Sequence, residues 1–261
     1  DDADAGYYVD LTGQASQTPC GLGTYNPNTA SNSSSACGDA DAGYFVNQTA
    51  QSAQNPCGVG TYQPLTGQIS CDDADAGNYV DQTNQSSQTP CELGTYQPLT
   101  GQTSCDDADA GYYVDMTGQA SQTPCSIGTY NPNTASTSSS DCGDADAGYF
   151  VNQTAQSVQS PCGIGTYQPL TGQSSCDDAD AGYYVELTAQ SNQVPCELGT
   201  YQPLTGQTSC DDADAGYYVD MTGQASQTPC GLGTYNPNTA STSSSDCGDA
   251  AAGYFVNQTA Q

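Results

Sequence analysis

The chain has 261 residues, of which 29 are acidic and none is lysine, arginine or histidine, so its formal net charge is −29. Phosphate neutralisation needs Lys or Arg, which argues against nucleic acid as a partner. A nucleophilic triad lacks its His, and a Schiff base or a phosphate loop lacks its Lys.

Only 35% of the residues are apolar, and 14 are cysteine, at 20, 37, 57, 71, 91, 105, 125, 142, 162, 176, 196, 210, 230 and 247. The intervals run 17, 20, 14, 20, 14, 20 and then begin again, the mark of a repeat array. Aligned on cysteine, the modules are 1–37 (A), 38–71 (B), 72–105 (C), 106–142 (A), 143–176 (B), 177–210 (C), 211–247 (A) and a partial B at 248–261. The trio repeats every 105 residues, as Cys20, Cys125 and Cys230 show. The chain opens without an initiator Met and stops inside a module, so it reads as a piece of something longer. It holds no signal peptide and no apolar run of membrane-spanning length.

Each module opens on Asp-Ala-Asp-Ala-Gly. The pairs are Asp2 and Asp4, Asp39 and Asp41, Asp73 and Asp75, Asp107 and Asp109, Asp144 and Asp146, Asp178 and Asp180, Asp212 and Asp214, while the eighth copy keeps Asp249 but has Ala251. Alternating carboxylates before a Gly resemble the opening of a calcium loop. The remainder of an EF-hand loop is missing, since Gly13 stands twelfth from Asp2 where a bidentate Glu belongs. Calcium held by these aspartates at module junctions is one expectation, and an Asx-type turn with solvated carboxylates is the other. The carboxylates repel one another without a basic partner, and salt or bound cations relieve that.

Next comes Gly-aromatic-aromatic-Val, broken only at Asn78, with Val9, Val46, Val80 and Val114 invariant. Aromatic and β-branched residues between Gly and polar turn residues predict a short strand, and Gly-Thr-Tyr-x-Pro predicts a second. No helix is expected. Thr12, Gln14, Gln17 and Pro19 recur in every complete module, as in Thr49, Gln51, Gln54 and Pro56. These are read as scaffold, bonding backbone groups that no ladder satisfies.

The cysteine segments differ in length. Short ones run Cys-x-x-Gly-Thr-Tyr-Gln-Pro-Leu-Thr-Gly-Gln-x-Ser-Cys, as in 57–71, and long ones carry three more residues in a Ser/Thr-rich stretch, as in 20–37. A closed loop absorbs such an insertion at an exposed tip, which favours Cys20 with Cys37, Cys57 with Cys71 and so on. Pairing of Cys37 with Cys57 across the constant 20-residue interval stays open. A module of this size needs staples, and regular cysteines in a loop-rich chain indicate an oxidising compartment. Zinc has neither a Cys-x-x-Cys pair nor a His to bind.

The stretch from Cys57 to Cys71 resembles the ephrin-receptor-like cysteine-rich module, a relative of tumour-necrosis-factor-receptor and EGF-like small disulfide domains. The match covers about 15 of each 34 to 37 residues, through Cys-x-x-Gly-Thr-Tyr and Gly-Gln-x-Ser-Cys. The Asp-Ala-Asp-Ala-Gly-Tyr-Tyr-Val-Asp stretch departs from that family, which places a further Cys there. The tandem pattern is similar to giant repetitive microbial surface proteins, and the resemblance implies an extracellular stalk and no reaction.

Sequons stand at Asn32, Asn47, Asn84, Asn152 and Asn257, with Asn47, Asn152 and Asn257 in one Asn-Gln-Thr frame at the 105-residue spacing. The Ser/Thr runs 29–35, 134–140 and 239–245 suit O-glycans. The resulting expectation is an all-β, disulfide-rich tandem linear array, an elongated rod or filament. It is non-enzymatic and extracellular or on the cell surface, with covalent glycans and self-association along or beside the array. No direct membrane contact is expected in this segment. The alternatives are a calcium-dependent adhesin or receptor ectodomain and an acidic cation-binding matrix protein.

Overall fold

The structure, a computed structural model, describes residues 2–257 and 259. These sort into two compact units, one from Asp1–Thr123 with Asn133–Asp141, the other from Pro124–Pro132 with Cys142–Gln261. The described residues are all-β apart from three single-turn 3-10 helices, and form fourteen two-stranded sheets. The predicted strands are there as two-residue pieces such as Tyr7–Tyr8, Thr24–Tyr25, Tyr44–Phe45 and Thr61–Tyr62. Their antiparallel partners, Thr18–Pro19, Gly38–Asp39, Asn55–Pro56 and Asp72–Asp73, carry no β-branched or aromatic pattern that would announce them.

Register exposes a finer repeat than the cysteines do. Tyr44 faces Pro56 and Phe45 faces Asn55; Thr61 faces Asp73 and Tyr62 faces Asp72. Counted from Ala40 in the first hairpin and from Cys57 in the second, the two registers coincide. The buried residues Ala40, Cys57, Ala74 and Cys91 accordingly fall 17 residues apart, and each module is two equivalent hairpins. In the long hairpins the same register holds with three residues inserted, Thr24 facing Asp39.

Those insertions contain the helical turns Ser34–Ala36, Ser139–Asp141 and Ser244–Asp246, where no helix was expected. Side-chain capping explains them. The Ser33 hydroxyl accepts the Ser35 N–H, and Ser243 with Asp246 forms a reciprocal capping box. The Asp141 carboxylate accepts the N–H groups of Thr137 and Ser138 at 2.9 and 3.0 Å.

A two-residue ladder does not stand alone in water, so each hairpin leans on the next. In the first unit Gly43 N–H donates to Gln63 O at 2.8 Å, Val46 N–H to Gln68 O at 2.9 Å, and Gly67 N–H back to Ala40 O at 2.8 Å. The following junction repeats the set with Gly60 to Val80, Gln63 to Gln85 and Asn84 to Cys57. In the second unit the same roles fall to Gly165 with Val185, Gln168 with Gln190 and Ala189 with Cys162. Contact reaches one hairpin further at the glycine before a hairpin's first strand, as at Gly43, Gly60, Gly77 and Gly94. Gly60 has φ +80°, and a Cβ there would overlap the carbonyl oxygen of Gly101, two hairpins along. The glycine is thus required twice, by dihedral and by space.

The core is a thin file of residues: Ala or Cys at the start of each hairpin and one plug after its first strand. In disulfide-free hairpins the plug is Val46, Val80, Val114, Val151, Val185 or Val219, all essentially fully buried, each burial worth roughly 1.5–3 kcal/mol. In cysteine hairpins it is a buried amide, Gln63, Gln97, Gln168 and Gln202 in the short ones, Asn26, Asn131 and Asn236 in the long ones. Gln63 Oε1 accepts Leu65 N–H and its Nε2 donates to Ser70 O, so it braces its own loop from inside. The shorter Asn26 braces the long loop by donating to Ser31 Oγ and to Tyr7 O of the preceding hairpin. Among the described residues no buried side-chain nitrogen or oxygen lacks a partner.

Candidate functional site

The cysteines and the paired aspartates singled out by the sequence lie toward the two ends of the hairpins. All fourteen cysteines are joined, Cys20 to Cys37, Cys57 to Cys71, Cys91 to Cys105, Cys125 to Cys142, Cys162 to Cys176, Cys196 to Cys210 and Cys230 to Cys247. Each bond closes one hairpin, and each lies inside one of the two units. The first cysteine of each pair is buried, and the second is half-buried at the loop.

The hairpins without cysteine are closed at the corresponding place by a different device. Gln54 stands fourteen residues after Ala40, as Cys71 stands after Cys57. Its Oε1 accepts the N–H of Asp41 at 2.6 Å, and its Nε2 donates to Asp41 Oδ2 at 2.7 Å. The same two-bond bracket joins Asp4 with Gln17, Asp75 with Gln88, Asp109 with Gln122, Asp146 with Gln159, Asp180 with Gln193 and Asp214 with Gln227, at 2.6–2.8 Å. The amide of Gln, with one acceptor and two donors, matches a backbone N–H and a carboxylate held side by side.

This bracket defines the second aspartate of each motif. Its N–H and one carboxylate oxygen go to the Gln, and the carbonyl of Asp41 closes a turn by accepting Tyr44 N–H at 2.9 Å. The first aspartates take another direction: Asp39, Asp73, Asp144 and Asp178 lie beside the turn glycines Gly67, Gly101, Gly172 and Gly206. Asp2, Asp107 and Asp212 are exposed, as are the second aspartates throughout. Among the described residues no three His, Cys, Asp or Glu side chains gather where they could hold a metal ion. In the last copy Ala251 removes the bracket's carboxylate.

The recurring scaffold glutamines divide in two. Gln17 and its counterparts make the bracket, while Gln51, Gln85, Gln156 and Gln190 each donate from Nε2 to the carbonyl of the threonine two residues back. Gln14 instead donates to Asp10 Oδ1 at 3.3 Å.

Carboxylates also tune four phenols. Tyr62, Tyr96, Tyr167 and Tyr201 are each held above the ordinary tyrosine value, first by burial and then by nearby carboxylates, Asp75 and Asp72 in the case of Tyr62. In each case one of those carboxylates is the cross-strand neighbour: Asp72, Asp106, Asp177 and Asp211.

Two features escaped sequence reasoning because they depend on register. A shallow cleft of about 360 Å³ between Tyr79, Asp81, Glu92 and Thr95 recurs at about 330 Å³ between Tyr184, Glu186, Glu197 and Thr200, in the two C modules. The Asp–Gln bracket could have been found by noticing that every second Asp is followed by a Gln thirteen residues later. The sequon asparagines Asn32, Asn47, Asn84, Asn152 and Asn257 are all exposed.

The chain is a cysteine-rich tandem repeat of small β-hairpins, and its seven disulfides point to an extracellular or secreted protein. Among the described residues no helix is long and apolar enough to cross a membrane. A scan of protein-family models finds no match, and a search of curated proteins finds no similar chain.

Proposed function

We propose that the chain is a structural element of an extracellular stalk or fibre, without enzymatic activity. The observation that carries this reading is the hairpin junction. Within each unit, four backbone hydrogen bonds tie a hairpin to its successor, as Gly43 to Gln63, Val46 to Gln68, Cys57 to Gly43 and Gly67 to Ala40 do, and the glycine contact reaches only to the next but one. A chain whose parts touch only near neighbours in sequence grows in one dimension as modules are added. The disulfide at every second hairpin would make such an element resistant to unfolding where no reductant is present. Resemblance of the 57–71 stretch to ephrin-receptor-like modules supports the same extracellular setting.

Small-angle scattering tests the reading directly. The longest dimension should fall by about the fraction of chain removed when one 105-residue block, 106–210, is deleted. A compact particle near the roughly 18 Å radius of gyration of an ordinary domain of this length would count against a stalk.

A further inference from the structure

The residue after the valine of each disulfide-free hairpin is exposed in all eight copies: Asp10, Asn47, Asp81, Asp115, Asn152, Glu186, Asp220 and Asn257. Two residues later stands a threonine every time, from Thr12 and Thr49 to Thr259. The threonine belongs to the scaffold, because its carbonyl receives the Gln side chain two residues on at Thr49, Thr83, Thr154 and Thr188. What varies is the residue before it, a carboxylate in every A and C module and an asparagine in every B module.

We propose that Asn47 and Asn152, and Asn257 in the same frame, are acceptor sites for an N-linked oligosaccharide. This rests on the extracellular reading of the chain. The fold itself gives no reason for Asn at these places. Among the described residues none bonds to the side chain of Asn47 or Asn152, both are exposed, and Asp fills the equivalent site in the A modules. The other two sequons do have local explanations. Asn84 occupies the left-handed turn position, φ +53°, held elsewhere by Ala50 or Gly118, and its N–H is bonded to Cys57 O; Asn tolerates that region better than most residues. Asn32 leads into Ser33, the cap of a 3-10 turn. Placed at 47 and 152, a glycan keeps a strongly hydrated group at a position that carries a charge in the other modules.

In the transfer step, Asn47 Nδ2 bonds to C1 of a sugar carried on a polyprenyl diphosphate. The C1–O bond to the diphosphate breaks, the diphosphate leaves as an anion, and one amide proton is released.

The test is secretion of this chain from a eukaryotic cell, followed by amidase release of N-glycans in heavy-oxygen water and peptide mapping after cleavage at aromatic residues. Heavy oxygen is expected at positions 47, 152 and 257, with a matching loss of mass. A secreted, fully disulfide-bonded chain with unlabelled Asn47 and Asn152 overturns the inference while leaving the structural reading intact. The variant Asn47→Asp, Asn152→Asp, Asn257→Asp keeps a residue native to this position, so it should form the seven disulfides and lose the mass shift. An unchanged mass shift in that variant overturns the inference as well.

Discussion

Hairpins 40–56 and 57–73 share one backbone register and are closed by unlike chemistry. The second has a covalent bond from a buried Cys57 to Cys71, a Gln plug and a carboxylate pair on its returning strand. The first has a buried Ala40 where the cysteine would be, a Val plug, and the Asp41–Gln54 bracket in place of the disulfide. One frame therefore tolerates an apolar or an amide plug, and a covalent or a hydrogen-bonded latch. What it does not vary is the glycine before the first strand, Gly43 in one and Gly60 in the other, because the backbone of a third hairpin packs there.

That difference between the latch and the frame orders the expected effects. The largest belongs to the frame. Gly43→Ala and Gly60→Ala should each cost about 1–2 kcal/mol for the left-handed dihedral and about 1–3 kcal/mol for displacing a backbone carbonyl. Hydrogen exchange should show lost protection at three successive hairpins in both variants. Confinement of the damage to the mutated hairpin would break the idea that the frame reaches two hairpins along.

The latches come next. Replacing Cys57 and Cys71 together by Ala should lower local stability by about 3 kcal/mol on the loop-entropy account. The converse is sharper: Ala40→Cys with Gln54→Cys puts cysteines at the equivalent register, and they should oxidise spontaneously to a bond. A pair that stays reduced under air while the native seven form would show that the two hairpin types are not equivalent after all.

Much of this was legible in the sequence, and the illegible part has a physical cause. Intervals between cysteines gave the modules, and the site of the three-residue insertion marked an exposed loop inside a closed hairpin, where the structure has the Ser34–Ala36 turn. The halving of each module was hidden because equivalent positions differ in chemistry: Ala40 against Cys57, Val46 against Gln63, Tyr44 against Thr61. Small size at the first position and shape at the second are what the fold requires, and neither is a residue type. The acidic motif depends on register in the same way. Of its two aspartates, the second is bonded to Gln54 of its own hairpin, thirteen residues away, and the first lies beside a glycine in a later one. The constant thirteen-residue spacing from the second aspartate to a glutamine is the trace that this divergence leaves in the sequence.

The bracket itself predicts a smaller effect. Gln54→Leu keeps the volume and removes both bonds, at a cost of about 1 kcal/mol for exposed groups that water partly re-satisfies. Exchange protection of the Asp41 amide should fall while that of Cys57 holds. Equal loss at both would mean that the bracket and the hairpin junction are one cooperative unit.

The smallest effect separates the hairpins by pH. In short cysteine hairpins the tyrosine faces a carboxylate, Tyr62 opposite Asp72, where the long hairpins place Gly38 or Gly143 opposite Tyr25 or Tyr130. Burial and then Asp75 and Asp72 raise the Tyr62 phenol above its ordinary value. Ionisation is therefore harder in the fold than in the unfolded chain. The stability tied to it is complete below the unfolded value near 10, and is lost as pH rises through the higher folded value. Ultraviolet absorbance of phenolate should thus show a late-titrating fraction assigned to Tyr62, Tyr96, Tyr167 and Tyr201. Asp72→Asn should move Tyr62 part of the way down and no further, since burial is the larger cause and Asp75 remains. Full return of Tyr62 to the ordinary value in that variant would assign the shift to one cross-strand carboxylate and leave burial in the hairpin without a role.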